Sequence, residues 1–429
     1  MSRIKFCFFL TAALFTVISA EAQITLDYCL DRARENYPLI KKFDLVNRSE
    51  KILLSDINKG WLPRIGLFAQ GTAQNSVSAF PDALKAMLDK TGTSVAGMSK
   101  LQYKAGIELN QTIWDGGYSK YQRAIERATG AQAKAVLEVE IYPIRDRVEN
   151  IYFSILLLEE QMDKMQSTVS LLESNHSRIG SMVAAGIATH SDADMIEAQI
   201  LTMLQQLTEA KSAYRSYRQV LELFINEDLG DKSLVRPVIQ MPGDSTSARP
   251  ELALFDRQIE LNNERSKAIN ASQIPRIGFF AQVYYGNPGL NMFQSMMKRD
   301  LSFNAMAGVK VTWNIDAFYS GNTSRKRLVT ASDMINSDRD RFLFDNALKS
   351  TREYGKIEGL RKIIEEDNRI VELRGNVRRA AESQLNHGII DTTALLAKIT
   401  DENNAILNHA FHEIQLLQTI CQLKNTLNR

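Results

Sequence analysis

The chain has 429 residues, 44% of them hydrophobic and 24% charged, with 52 lysines and arginines against 50 aspartates and glutamates. A formal net charge of +2 leaves no basic surplus from which to argue nucleic-acid binding. Three cysteines in a chain of this length exclude a small disulfide scaffold.

Arg3 and Lys5 precede an apolar run over 6–18, and Ser19, Ala20, Glu21 and Ala22 follow in the small-x-small pattern of an export signal (1–22) cleaved after Ala22. The run is shorter than the roughly 20 apolar residues that a spanning helix needs. Its removal takes two cations and one anion, leaving a net charge of +1. Cys7 leaves with the signal; Cys29 and Cys421 remain and could pair, and Cys29 lies too far past the apolar run to carry a lipid. No later stretch is apolar enough to cross a bilayer as a helix, so the mature chain is either soluble outside the cytoplasm or crosses by strands.

The first repeat occupies 23–226. A helix is expected over 27–60, then strands over 63–75 and 102–114. In the second strand Tyr103, Ala105, Ile107, Leu109 and Ile113 alternate with Lys104, Gly106, Glu108, Asn110 and Thr112, a period of two with one apolar face. Helices follow over 118–184 and 190–226. Val148, Ile151, Ile155, Leu158, Met162, Met165, Val169 and Leu172 step by three and four, a heptad seam. Pro143, which lacks an amide donor and clashes with the preceding turn, should kink or break the longer helix. Gly186 and Ile187 end it, and Thr189 and Asp192 supply N-cap chemistry for the return. Residues 227–248 read as a linker or small equatorial belt, since 227–250 holds three of the nine prolines.

The second repeat, 249–429, follows the same plan: a helix over 249–272, strands over 275–287 and 302–315, and helices over 320–386 and 391–427. Its helices turn at Gly388 and Ile389, with Asp391 and Thr392 as caps. The segment 62–70 (LPRIGLFAQ) returns 212 residues later as 274–282 (IPRIGFFAQ), and Pro38 matches Pro250 at the same offset. Ala105, Gly106 and Ile107 match Ala307, Gly308 and Val309 at an offset of 202, as Gly186 matches Gly388. The ten-residue drop falls in a loop between Gln70 and Ala105. Trp61, Trp114, Tyr284, Tyr285 and Trp313 suit the interfacial aromatic positions of membrane strands. Alternation alone is equally that of a soluble sandwich. Four strands, however, cannot close into a barrel, and an open sheet in lipid leaves its edges unpaired. A membrane form must oligomerise, and three copies give twelve strands.

These residues resemble the TolC family of outer-membrane efflux proteins over the whole mature chain. The resemblance rests on 26–30 (LDYCL) running to Asn36, Tyr37 and Pro38, on the strands led by Pro63 and Pro275, on 111–117 (QTIWDGG), on 249–252 (RPEL) and on both glycine tips. The hydrophobic-Asp-Gly-Gly pattern at Trp114 to Gly117 degrades in its second occurrence to Ile315, Asp316, Ala317 and Phe318, with Gly321 displaced.

The resemblance implies a mainly α fold with membrane β, built from two structural repeats. Long coiled-coil hairpins and four transmembrane strands per protomer would assemble as a homotrimer into a 12-strand β-barrel in outer-membrane lipid and a 12-helix α-barrel in the periplasm. It implies a passive exit duct for efflux or type I secretion, docked to a periplasmic adaptor and an inner-membrane RND or ABC transporter. Gly186, Ile187, Thr189, Asp192, Gly388, Ile389, Asp391 and Thr392 would then be adaptor-contacting tips. Where family members carry acidic residues near the tip, Arg378, Arg379 and Glu382 stand here, and a lumen-facing ring of arginine would favour anions.

No phosphate loop, nucleophile elbow or Cys/His quartet occurs. His409 and His412 lie three apart without a third ligand, so neither catalysis, cofactor nor metal is expected. The alternative class is a periplasmic structural coiled coil or binding protein without a pore, which membrane partitioning would distinguish.

Overall fold

The computed structural model describes residues 24–92, 95, 97–230, 232–243 and 246–428, so the signal expected over 1–22 lies outside the described residues. In chain order the elements are α1 (Leu26–Asn36), α2 (Ile40–Lys59), β1 (Arg64–Ala73), α3 (Asp82–Lys90), β2 (Leu101–Trp114), α4 (Tyr118–Ile141), α5 (Ile144–Ala184), α6 (His190–Ile225), α7 (Pro250–Ser272), β3 (Arg276–Asn287), α8 (Met292–Met297), β4 (Ser302–Thr312), α9 (Asp316–Asn386) and α10 (Thr392–Leu427). They fall into two compact units. One comprises Lys41–Val139 and Pro250–Arg341; the other comprises the described residues up to Ile40, Glu140–Arg249 and Phe342 onward.

The structure corrects several boundaries. The single helix expected over 27–60 is two, because Pro38 forces the residue before it out of the helical region, and Tyr37 sits extended at φ −65°, ψ 131°. The helix expected over 118–184 is divided at the proline expected to kink or break it. Proline at 143 has no amide to continue the ladder, so α4 ends at Ile141 and α5 restarts at Ile144 with Pro143 at its N-cap. Nothing comparable interrupts α9, which runs for 71 residues. It begins at Asp316 rather than 320, and β4 stops at Thr312 rather than 315.

In the unit that contains the sheet, the four strands pair in the order β1-β2-β3-β4, all neighbours antiparallel. Short helices α3 and α8 lie in the two loops that join the strands of each hairpin.

In the helical unit, α5 packs on α6, and α1 and α10 pack on both. Leu172 of the heptad seam meets Ile179, Ile196, Ala381, Leu385, Leu395 and Ile399 in one buried cluster. Each leucine and isoleucine of the cluster contributes about 1.5–3 kcal/mol through its removal from water. Tyr152, fully buried, ties the linker to the segment before α1, its hydroxyl 2.9 Å from Ile24 O and 2.6 Å from Val235 O. Cys29 and Cys421 are both free and buried, not paired, and burial pushes each thiol up to about 12.

A polar cluster closes this unit around Asn425. Its Nδ2 donates to Glu149 Oε2 at 2.6 Å and to Asp146 Oδ1 at 2.8 Å, while its backbone carbonyl accepts from the Tyr142 hydroxyl at 2.7 Å. Burial pushes the Glu149 carboxyl up to about 7, against the attraction of Arg145. A carboxyl with a raised folded pKa costs nothing below its unfolded value near 4.5, where both states are protonated, and its cost is complete above about 7. Over that 2.5-unit gap the loss is about 3 kcal/mol. Glu149→Gln is therefore expected to match the wild type at pH 4.5 and exceed it in apparent melting temperature at pH 8; parallel melting curves across that range would contradict it.

Candidate functional site

The strand register sorts every strand residue onto one of two faces. Leu67 opposes Ile107, Ile107 opposes Val283, and Val283 opposes Ala305. Side chains directly opposite share a face, and alternation then carries Ile65, Tyr103, Leu109, Phe279, Tyr285, Phe303, Val309 and Val311 to the same side. This apolar face is open in the single chain: Leu67 is 83% exposed and Phe303 71%. The other face holds Arg64, Gln70, Lys104, Glu108, Asn110, Arg276, Gln282, Asn304 and Lys310. All five charged residues of the four strands lie there, by the same register.

The predicted interfacial aromatics divide between the faces. A bulge between Thr112 and Trp114 rotates Trp114 onto the apolar face opposite Ile277. Trp313 stands just beyond β4, its Nε1 donating to Gln273 O at 3.0 Å, and Trp61 is half-buried just before β1. Tyr103, Tyr285 and Phe303 mark the other end of the apolar face. Tyr284 does not belong with them. It pairs with Gly106 and Asn304 on the polar face, 8% exposed, with the Lys104 ammonium 5.8 Å from its ring.

Strand meets helix differently in the two halves. Asp115 accepts from the amides of Gly117 at 2.9 Å and Ser119 at 2.7 Å, and Gly116 takes φ +67°, where an added Cβ would lie 2.9 Å from Ile274. In the second half Asp316 opens α9 directly, and Ala317 O accepts from Gln273 Nε2 at 3.1 Å. No positive φ is required there, which accounts for the missing glycine pair. Gly321 instead allows α9 to approach α7 closely, since a Cβ would meet Gln273 Nε2 at 2.7 Å and Ile269 at 3.1 Å.

The two hairpin tips share one geometry. Gly186 takes φ +72° and Gly388 φ +67°. At each, the glycine amide and the next one bond back into the last helical turn: Gly186 N to Val183 O and Ile187 N to Met182 O, Gly388 N to Leu385 O and Ile389 N to Gln384 O. This double closure is the Schellman motif. Thr189 and Asp192 form a capping box on α6, and Asp391 caps α10 by accepting from Ala394 N at 2.7 Å. The Thr189 hydroxyl and then its amide hold the Asp192 carboxyl below its ordinary value. Thr392 is buried. The residue after each glycine is left bare: Ile187 is 69% exposed and Ile389 70%.

The three residues expected to constrict a lumen do not act as one group. Arg378 packs between α9 and α10, 15% exposed, in ion pairs with Glu382 at 2.8 Å and with Glu402. Two half-buried carboxylates neutralise it, so it presents no free cation. Glu402, 24 residues onward in the chain, has no local sequence signature as its partner, whereas Glu382 at i+4 does. Arg379 is exposed and donates to Asn376 Oδ1 at 2.6 Å. His412 bonds Asp367 at 2.6 Å, and His409 lies 3.9 Å from Glu413. Among the described residues no group of three or more His, Cys, Asp or Glu could hold a metal, and no helix is long and apolar enough to cross a membrane.

No protein-family model matches the chain. The multidrug resistance outer membrane protein MdtP of Escherichia coli (strain K12) is 22% identical over 337 residues, which is 74% of this chain and 67% of that protein. Among solved structures, the outer-membrane channel OprN aligns with a TM-score of 0.67 at 12% identity, covering 94% of this chain and 89% of its own. The CmeC outer membrane channel of Campylobacter jejuni aligns with a TM-score of 0.63 at 14% identity, covering 94% and 85%. At such identities the shared property is the fold.

Proposed function

We propose, from the premise that this chain has the fold of the TolC family of outer-membrane channels, that it is the outer-membrane exit duct of an efflux or secretion system. The observation that carries this reading is the two-faced sheet, with an open apolar face and every strand charge on the other. From Phe303 to Trp313 the chain advances roughly ten steps of ~3.3 Å; at a tilt of about 40° this rises ~25 Å, the height of an outer-membrane apolar band. Aromatics at both ends of the apolar face, Tyr285 rather than Tyr284 among them, match the girdles at its two interfaces.

Within the chain β1 and β4 each pair on one side only, and lipid does not tolerate open strand edges. Three protomers, each a pair of related repeats, close twelve strands, with the hairpins forming a twelve-helix tunnel in the periplasm. The duct is passive, so its driving force comes from an inner-membrane transporter reached through a periplasmic adaptor at the paired tips. Fractionation followed by mass measurement of the detergent-extracted protein tests this reading. A trimer confined to the outer membrane is expected; a monomer or dimer released with the soluble periplasm would overturn it in favour of a coiled-coil protein without a pore.

A further inference from the structure

We infer that the strand wall of the duct is an anion-selecting surface, set by Arg64, Arg276 and Lys310 rather than by arginines near the tips. The inference rests on the barrel reading above, which turns the polar sheet face inward. That face carries four cations, Arg64, Lys104, Arg276 and Lys310, against one carboxylate, Glu108. The imbalance is concentrated at one end. A groove of about 410 Å³ is lined by Arg64, Arg276 and Lys310 together with Asn110, Thr112 and Phe280, and no acidic residue lines it. All three cations are exposed.

The sequence repeat makes this arrangement recur. Arg64 and Arg276 each follow the proline that leads a hairpin, Pro63 and Pro275, and each begins its strand. Three copies would place six arginines and three lysines around the helix-proximal end of the barrel. Further along the wall the Lys104 ammonium lies 5.9 Å from the Phe68 ring centroid and 5.8 Å from that of Tyr284, which holds its charge on the polar face without a carboxylate. A ring of like charge within low-dielectric walls focuses its field across the lumen and concentrates the counterion. With Phe280 beside the cations, the surface fits anionic solutes that also carry an apolar part.

The test is the reversal potential of the full-length protein in a planar lipid bilayer under a potassium chloride gradient. The wild type is expected to prefer chloride over potassium by roughly threefold or more. The R64Q/R276Q/K310Q variant should bring that ratio to about one, R64K/R276K should retain it, and E108Q should raise it, each with the trimer intact on a native gel. A conducting wild type that prefers potassium, or selectivity unmoved in both the triple variant and E108Q, would overturn the inference and leave the pore reading standing. A trimer that inserts and never conducts would overturn the pore reading, and the inference with it. Should the triple variant fail to assemble, E108Q alone decides, because it removes the single opposing charge.

Discussion

Gly106→Val is expected to abolish assembly of the protein into outer-membrane trimers. Gly106 lies mid-strand in β2, opposite Phe68 of β1 and Tyr284 of β3. A Cβ built on it falls 2.6 Å from both Cα and Cβ of Tyr284, and closer still to the Val283 carbonyl oxygen. Two of these are backbone atoms of a paired strand and the Cβ is fixed to that backbone, so no rotamer change relieves the clash. Overpacking of this kind costs about 1–3 kcal/mol, and more where the backbone must part. The gain in strand propensity is at most about 1 kcal/mol. The matching position Gly308 faces Phe280, whose ring an added Cβ would meet at 2.9 Å. At Gly308 a phenylalanine therefore covers a glycine on the polar face, a pairing that lets an aromatic fill the space beside a bare backbone. Gly71→Ala is the control, since its Cβ meets only the Tyr103 ring at 3.9 Å. On unboiled gels of outer membranes, trimer should vanish for G106V and persist for G71A; wild-type trimer levels in G106V would refute the account.

The second large effect is on export rather than folding. Ile187→Arg with Ile389→Arg should leave trimer levels unchanged and reduce export at least tenfold. Exposed substitutions away from special backbone positions typically change stability by less than about 0.5 kcal/mol, and both isoleucines follow, rather than occupy, the positive-φ position. At an interface the same change introduces a charge that must be desolvated against the partner, a cost of several kcal/mol, and about 1.4 kcal/mol already corresponds to tenfold in affinity. An export assay in cells and cross-linking of the tips to the proposed adaptor measure the two sides of this expectation. Full export by the double variant would remove the tips from the docking surface.

How much of this was legible in the sequence depends on the range of the interaction. The period-two alternation of 103–113 says that a sheet has two unlike faces, because successive side chains on a strand must point oppositely. It does not say which of two adjacent tyrosines stands at an apolar rim. Tyr284 and Tyr285 differ by one residue, a one-residue step exchanges the faces, and only the pairing of β3 with β2 and β4 assigns Tyr285 to the apolar side. Trp114 is the converse case, since a bulge that no local motif announces turns it outward.

The charged residues divide in the same way. Composition shows near balance, 52 cations against 50 anions, and the family resemblance points to Arg378 and Arg379 as a cationic ring. In the fold Arg378 meets Glu382 and Glu402 between two helices, whereas Arg64, Arg276 and Lys310, far apart in sequence, share one groove. Local spacing was enough to read the mainly helical chain with its short alternating strands and the places where glycine and proline interrupt it, because heptad spacing, period two, positive φ and a missing amide are properties of neighbouring residues. Which charges are neutralised and which share a surface emerged with the folded chain, because Coulomb attraction and strand pairing act between groups that the chain order keeps tens to hundreds of residues apart.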